Sequence, residues 1–343
     1  MENRNLETLA QELGLKKQQV ETVLELTAEG NTIPFIARYR KEKTGNLDET
    51  QIKAIIDMDK SLTALQDRKE TVLAKIEAQG KLTDQLKAAI EAAEKLADVE
   101  ELYLPYKEKR RTKATVAREA GLFSLARLIL QNSPNLKAEA EKLTSEAFPT
   151  ADKALAGAVD ILVEAFSEDN SLRSWTYNEI WNNSDITSTL KDQSLDEKET
   201  FKIYYDFEDK VSKLQGYRTL ALNRGEKLGV IKVAFKHNLE KMHRFYSARF
   251  KQKNDYIEEV INQSLKKKII PAMERRIRSE LTEAAEDGAI QLFSQNLRSL
   301  LLVSPLKGKM VLGFDPAFRT GAKLAVVDQT GKLITTQVIY PVA

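Results

Sequence analysis

Residues 271–303 read PAMERRIRSELTEAAEDGAIQLFSQNLRSLLLV, and residues 310–315, a short distance further on, read MVLGFD. In the first stretch apolar side chains recur at helical spacing, and Pro271 suits the first position of a helix, where its missing N–H costs nothing. Such a helix would be about 50 Å long at 1.5 Å per residue. The second stretch is a short apolar run typical of a buried strand. The sequence therefore predicts a long helix, 271–304, that leads into a domain with strands.

Two further strands are predicted after residue 315. Residues 323–328 read KLAVVD, the turn 329–331 reads QTG, and residues 333–340 form another apolar run. A run of strands after a run of helices suggests a new domain. We expect residues 305–343 to be its beginning only, because the remaining chain is too short to complete a sheet with covered faces.

Upstream of residue 271 the sequence predicts successive helices. Leu6, Leu9 and Leu13 share one helical face, Gly14 can end that helix, and a second helix follows from about Val20. This outline fits a helix-turn-helix or an ordinary helical hairpin, and the pattern does not decide between them. Further helices are predicted at 47–80, at 82–96 with Thr83 as its N-cap, and at 151–168 with a face of small residues. Residues 222–227 (LNRGEK) predict a loop, residues 230–235 suit a strand or a helix, and the domain limits are predicted at 1–75, 76–270, 271–304 and 305–343.

Composition narrows the possible chemistry. The chain has 343 residues, 42% of them hydrophobic and 30% charged, with a net charge of +2, so any attraction for nucleic acid must be local. The absence of cysteine excludes disulfides, thiolate zinc sites and a cysteine nucleophile. Two histidines, His237 and His243, are too few for most histidine-based metal sites. With no signal-peptide pattern and no run of about 18 apolar residues, the sequence predicts a cytoplasmic protein that makes no membrane contact.

Two segments combine cations with tyrosines: residues 33–45 (IPFIARYRKEKTG) and residues 102–113 (LYLPYKEKRRTK). Cations attract phosphates and release counterions, and an exposed ring can stack on an unpaired base. The alternative is that the cations form solvated faces and the tyrosines, Tyr103 among them, pack in the core. The candidate nucleic-acid-binding residues are Arg38, Tyr39, Arg40, Lys41, Lys43, Tyr106, Lys107, Lys109, Arg110, Arg111 and Lys113.

Three other features carry expectations about structure or function. Asp315 ends a predicted strand, and Arg319, Thr320 and Gly321 either meet a phosphate or form a simple hairpin. The pattern is not a P-loop, because the Gly-Lys-Ser/Thr ending is missing. Lys266, Lys267 and Lys268 are expected at the end of a helix, where positive charge suits the dipole.

Four segments in order, IPFIARYRKEKTG, LYLPYKEKRRTK, LNRGEK and GFDPAFRTG (313–321), resemble the bacterial Tex family of transcription accessory proteins. The resemblance implies a mainly α fold: a multi-helical region with helix-turn-helix elements, then the opening strands of an α/β, RNase H-like domain of YqgF type. It implies a scaffold that contacts RNA or DNA and the transcription machinery, RNA polymerase included. It implies no catalysis, no cofactor and no metal.

Two other functions remain open from the sequence. One is an RNase H-like nuclease, in which Asp315 on the first strand would hold a metal ion together with carboxylates outside this chain. We treat Asp315 only as a vestigial candidate, because several carboxylates are needed and none accompanies it. The other is a helical protein-interaction module without affinity for nucleic acid.

Overall fold

A computed structural model describes residues 3–107, 111–302, 308–317 and 319–340 of the chain. The fold is mainly α, as predicted, with short antiparallel sheets. The prediction of successive helices before residue 271 is wrong at Asp185–Leu190 and Asp206–Lys210, which are strands. The α-helices are α1 (Asn3–Glu12), α2 (Lys17–Ala28), α3 (Ile33–Tyr39), α4 (Lys41–Thr44), α5 (Glu49–Ala78), α6 (Asp84–Ala92), α7 (Leu96–Tyr103), α8 (Lys113–Glu119), α9 (Phe123–Leu130), α10 (Leu136–Lys142), α11 (Ala151–Ser167), α12 (Asn170–Asn183), α13 (Gly216–Lys227), α14 (Leu239–Ser247), α15 (Asp255–Gln263) and α16 (Ile270–Leu301). The strands are β1 (Asp185–Leu190), β2 (Asp206–Lys210), β3 (Ile231–Lys236), β4 (Val311–Asp315), β5 (Ala322–Val327) and β6 (Leu333–Ile339).

The chain divides into two compact units that alternate along the sequence. The first unit comprises Met1–Ile180 and Asn238–Met273, and the second comprises Trp181–His237 and Glu274–Ala343. The chain therefore leaves the first unit, returns to it once and leaves it again. Among the described residues, no helix combines the length and the apolar character that a membrane crossing needs.

The N-terminal helices form the first core of the first unit. α1, α2, α3 and α5 meet there, and the side chains of Leu9, Ile36, Ile52 and Ile55 are fully buried. Gly14 separates α1 from α2 with a left-handed backbone (φ 63°), which glycine adopts without steric cost. The two predicted helices and their glycine turn are confirmed, and a DNA-binding helix-turn-helix remains a prediction.

The long helix α5 extends from this core into a second one. Its C-terminal part contributes Val72 and Ile76, which pack with Ile90 of α6 and with Val99 and Tyr103 of α7. The Thr83 hydroxyl accepts a hydrogen bond from the Leu86 amide (3.2 Å), which confirms the predicted N-cap of α6.

α11 is the central helix of the rest of the first unit and packs against α8, α9, α10 and α15. Its face of small residues, which was predicted, includes Ala154, Gly157 and Ala158. A Cβ atom at Gly157 would lie 2.7 Å from the Phe148 ring and 2.8 Å from Leu122 Cδ1. The neighbouring elements therefore approach α11 more closely at this point than any other residue would permit.

Helical structure continues without a break from residue 255 to residue 301. A π-helical stretch, Ser264–Ile269, joins α15 to α16, and both of its flanking residues keep right-handed helical dihedral angles. Pro271 provides a reason, because its ring would clash with the Lys267 carbonyl of an ordinary α-helical turn and a π turn is wider. The long helix is confirmed, but the placement of Lys266, Lys267 and Lys268 at a helix end is wrong.

In the second unit β1 lies between β2 and β3 in an antiparallel sheet, with Ile186 opposite Phe235. The stretch 230–235, which suited a strand or a helix, belongs mainly to β3. The loop predicted at 222–227 is wrong, since these residues complete α13. Gly225 permits close packing of α13 against Ile231, because a Cβ atom at this position would lie 2.9 Å from the Ile231 side chain.

The three strands predicted near the C-terminal end are confirmed as an antiparallel β4-β5-β6 sheet. Gly313 of β4 lies opposite Ala325 of β5. The predicted burial of β4 is wrong: Leu312 is 60% exposed and Phe314 is 54% exposed. The described residues do not supply enough cover for the apolar side chains of this sheet.

Candidate nucleic-acid interface

The first basic segment forms α3 and α4. Pro34 lies in the first turn of α3, where it is tolerated, and the buried side chains of Ile36 and Ala37 anchor the helix in the core. Arg38 and Tyr39 follow on its exposed side. Ile36 and Ala37 of α3 therefore face the core, whereas Arg38 and Tyr39 at its C-terminal end face solvent.

Gln19 of α2 holds the turn that follows α4. Its amide Nε2 donates to the carbonyl of Thr44 (2.9 Å), and its Oε1 accepts from the backbone amide of Lys16 (3.2 Å). Gly45 is left-handed (φ 68°), and a Cβ atom there would lie 2.7 Å from Gln19 Nε2. Thr44 is fully buried, so the short basic helix is fixed to the core at its C-terminal end.

The cations of this segment are open to solvent. Arg38, Lys41 and Lys43 are exposed, and none of them forms an ion pair with another described residue. The half-buried Arg40 places its guanidinium 4.8 Å from the centre of the Phe35 ring. Across α3 and α4 the four cations are accompanied by one acidic side chain, Glu42.

An exposed ring accompanies these cations. Tyr39 is 67% exposed, and its ring centre lies 5.3 Å from that of Phe35. A phenol held in this way has an open face on which a base can stack. The segment thus presents both chemical groups that single-stranded nucleic acid binds.

The second basic segment is arranged differently. Tyr103 is buried in the second core, with the Arg68 guanidinium 5.5 Å from its ring centre. Tyr106 is half-buried against the same core, and its carbonyl accepts a hydrogen bond from Gln79 Nε2 (2.8 Å). The core alternative therefore holds for Tyr103, and Tyr106 offers less free ring surface than Tyr39.

The cations of the second segment are also less available. Arg111 is paired with Glu119 (2.8 Å), whereas Lys107 and Lys113 are exposed. Lys109 and Arg110 lie outside the described residues. The two basic segments belong to different elements, α3–α4 and the region from α7 to α8, and pack against different cores.

Asp315 ends β4 and is exposed, opposite Lys323 of β5. The Thr330 hydroxyl and the backbone amides of Thr330 and Lys332 hold the pKa of Asp328 below its usual value. Asp328 thus closes the turn before β6. Over the described part of the chain, no group of three or more His, Asp or Glu side chains is arranged to hold a metal ion.

Both histidines have acidic partners that no local sequence pattern reveals. His237 Nε2 lies 2.6 Å from Glu274 Oε1, and its Nδ1 lies 2.9 Å from the hydroxyl of Ser184. His243 is paired with Glu258. These partners are between 15 and 53 residues away along the chain, which is beyond any local spacing rule.

Three family models match successive parts of the chain. Residues 3–77 match the Tex-like protein N-terminal domain, residues 131–293 match the Tex central region, and residues 309–343 match the Tex protein YqgF-like domain. The opening strands of the sheet β4-β5-β6 lie within the last of these matches. The order of the matches is that expected from the four sequence segments.

Relatives match over nearly the whole chain. It is 46% identical to the uncharacterized protein YdcI of Bacillus subtilis over 97% of this chain and 48% of that protein. It is 39% identical to the transcriptional accessory protein Tex of Neisseria gonorrhoeae, over 97% of this chain and 45% of that protein. The human S1 RNA-binding domain-containing protein 1 is 27% identical, over 98% of this chain and 36% of that protein.

The chain thus spans about half the length of the bacterial relatives it matches. The matches cover the helical units and the sheet β4-β5-β6 in the same order as the structure does. This chain belongs to the Tex family.

Proposed function

We propose that this chain is the nucleic-acid-engaging part of a transcription accessory protein, and that α3 and α4 contact the nucleic acid. One observation carries the proposal: Arg38, Lys41 and Lys43 are exposed without an acidic partner among the described residues, beside the open ring of Tyr39. Unpaired cations release counterions when they bind phosphates, and an exposed ring stacks on a base.

The names of two relatives agree with this proposal. One is a transcriptional accessory protein and another has an S1 RNA-binding domain. We further propose that the chain acts as a scaffold without catalytic activity, in the cytoplasm, and that the transcription machinery is its protein partner. We also propose that the chain contacts RNA polymerase and that it binds DNA through a helix-turn-helix.

The test is the salt dependence of binding to single-stranded RNA. The variant Arg38→Gln/Lys41→Gln/Lys43→Gln removes three cations, and each phosphate contact contributes about 0.7 to the slope of log K against log salt for a single strand. We expect the slope to become shallower by about 2 if all three contact phosphates. Measurement at several salt concentrations on RNA and DNA, single- and double-stranded, also gives the preferred ligand.

A control variant with the same change in net charge is available. Lys53, Lys142 and Lys202 are each paired with a carboxylate three or four residues away. Their replacement by Gln should leave the slope close to that of the unchanged chain. Equal slopes for both triple variants would assign binding to net charge and would overturn the proposal for α3 and α4.

A further inference from the structure

The π-helical stretch before α16 exposes three lysines in a row. Lys266, Lys267 and Lys268 are all exposed, between the buried residues Leu265 and Ile269. In a π turn successive side chains are separated by a smaller rotation than in an α-helix, because the hydrogen bonds run from i to i+5. The three ammonium groups therefore diverge less than they would on an α-helix.

Two elements bring cations to the same part of α11. The π stretch contacts α11 through Ser264, whose hydroxyl donates to the carbonyl of Val163 (3.4 Å). The start of α8 contacts α11 through Thr112, whose hydroxyl donates to Glu164 Oε2 (2.9 Å). Lys113 follows Thr112 directly and is exposed.

Asp160 lies one helical turn before Glu164 on α11. Burial raises the pKa of Asp160, and the positive charges of Lys113, Lys268 and Lys267 act against that rise. The Glu259 carboxylate acts in the other direction. All three lysines are thus close enough to act on one half-buried carboxylate.

The charges of this surface do not cancel. Lys113, Lys267 and Lys268 stand against the two carboxylates of Asp160 and Glu259. Glu164, which lies on the same part of α11, is paired with Arg118 (2.7 Å). None of the three lysines has a carboxylate within ion-pair distance among the described residues. Their ammonium groups are therefore available to an anion that approaches from solvent.

We propose that Lys113, Lys267 and Lys268, which we call the α11 cationic patch, bind the phosphodiester backbone of a nucleic acid. The patch is separate from α3 and α4, and its role depends on the proposed function, because it requires that the chain binds nucleic acid. Lysine ammonium groups on flexible stems are suited to phosphates as point charges. The patch carries no exposed ring and adds backbone contacts without base stacking.

The Asp160 carboxylate should weaken the binding of phosphates to the α11 cationic patch. Its carboxylate lies among the three cations and repels an approaching phosphate. Its replacement by Asn removes the charge and keeps the size of the side chain. We expect Asp160→Asn to bind nucleic acid more tightly than the unchanged chain, and misfolding would not produce such a gain.

The experiment compares two triple variants by the salt dependence of binding to a single-stranded oligonucleotide. Lys113→Gln/Lys267→Gln/Lys268→Gln should make the slope shallower by about 2, at about 0.7 for each phosphate contact. The control replaces the exposed Lys60, Lys75 and Lys87 of α5 and α6, which changes the net charge equally. The control slope should stay close to that of the unchanged chain.

Each outcome decides the inference. A shallower slope for the patch variant only, with tighter binding by Asp160→Asn, supports it. Unchanged binding by both patch variants, while the α3–α4 variant loses affinity, overturns the inference and leaves the proposed function standing. No binding of any nucleic acid by the unchanged chain overturns both.

Discussion

His237 Nε2 lies 2.6 Å from Glu274 Oε1 although the two residues are 37 positions apart. The other ring nitrogen faces the hydroxyl of Ser184, and the side chain of His237 is only 6% exposed. Both polar atoms of a buried ring therefore have a partner inside the second unit. The three residues join the start of the β2-β1-β3 sheet, its last strand and the helix α16.

Loss of this contact should weaken the second unit. We expect Glu274→Ala to lower the free energy of unfolding by about 1–3 kcal/mol, because it leaves a buried ring nitrogen without a partner. Urea denaturation measures the change. The control is Glu208→Ala, which removes the exposed pair with Lys236 (2.9 Å) and should cost less stability, because solvent screens that pair. Equal losses of stability in the two variants would show that the buried pair contributes no more than the exposed pair.

Tyr246 should make the fold sensitive to alkaline pH. Burial raises the pKa of its phenol from 10.0 to about 12, and the hydroxyl lies 2.8 Å from Thr176 Oγ1. The unfolded chain then loses this proton before the folded chain does, so the stabilising contribution is complete below pH 10 and declines as the pH rises towards 12. In Tyr246→Phe that part of the decline should disappear. Urea denaturation midpoints at pH 8, 10 and 11 measure this decline. The same pH dependence of the midpoint in both proteins would show that Tyr246 does not cause it.

Two helical glycines should respond in opposite ways to alanine. A Cβ atom at Gly288 meets nothing within 4 Å, so Gly288→Ala should gain about 1 kcal/mol of helix propensity. Gly157→Ala gains the same propensity, but its methyl group overlaps Phe148 and Leu122. We expect it to be less stable than Gly288→Ala by about 1–3 kcal/mol, the usual cost of overpacking. Thermal denaturation ranks the two variants, and an equal gain for both would exclude the close packing of α11.

Tyr39 should contribute to the binding of single strands more than to that of duplexes. Stacking of one base on an aromatic ring contributes about 1–3 kcal/mol, and bases in a duplex are already stacked. Tyr39→Ala should therefore weaken binding to single-stranded RNA and leave duplex binding nearly unchanged. Tyr340→Ala is the control, because Tyr340 is also 67% exposed but lies just after β6. A similar loss from both variants would place the stacking site elsewhere.

The long helices and the C-terminal strands could be predicted because their apolar residues repeat at a fixed period. α5, α11 and α16 follow the helical period, and each of the strands from β4 to β6 is a short apolar run between turn residues. The loop predicted around Gly225 failed for a physical reason. A glycine can either end a helix or permit close packing inside one. Only the position of Ile231 shows that Gly225 does the second.

The residue types of the candidate site could be predicted from the sequence, but not which of its cations are paired with carboxylates. The two basic segments look alike in sequence, yet Arg111 is paired with Glu119 whereas Arg38 is unpaired among the described residues. The α11 cationic patch was missed, since Lys113 and Lys267 are 154 positions apart and only α11 brings them together. Pairing across such distances depends on tertiary packing, which no local pattern reveals.

The alternation of the chain between its units determines where it can be divided. A truncation after Ile180 would keep α11 and most of α12 but discard α14 and α15. The Tyr246 phenol that contacts Thr176 and the helix α15 that packs against α11 would be lost with them. The resulting polypeptide would expose core surface and aggregate, whatever its own affinity for a ligand. Expression fragments intended to isolate the first unit therefore need to extend to residue 273 or replace residues 181–237 with a linker.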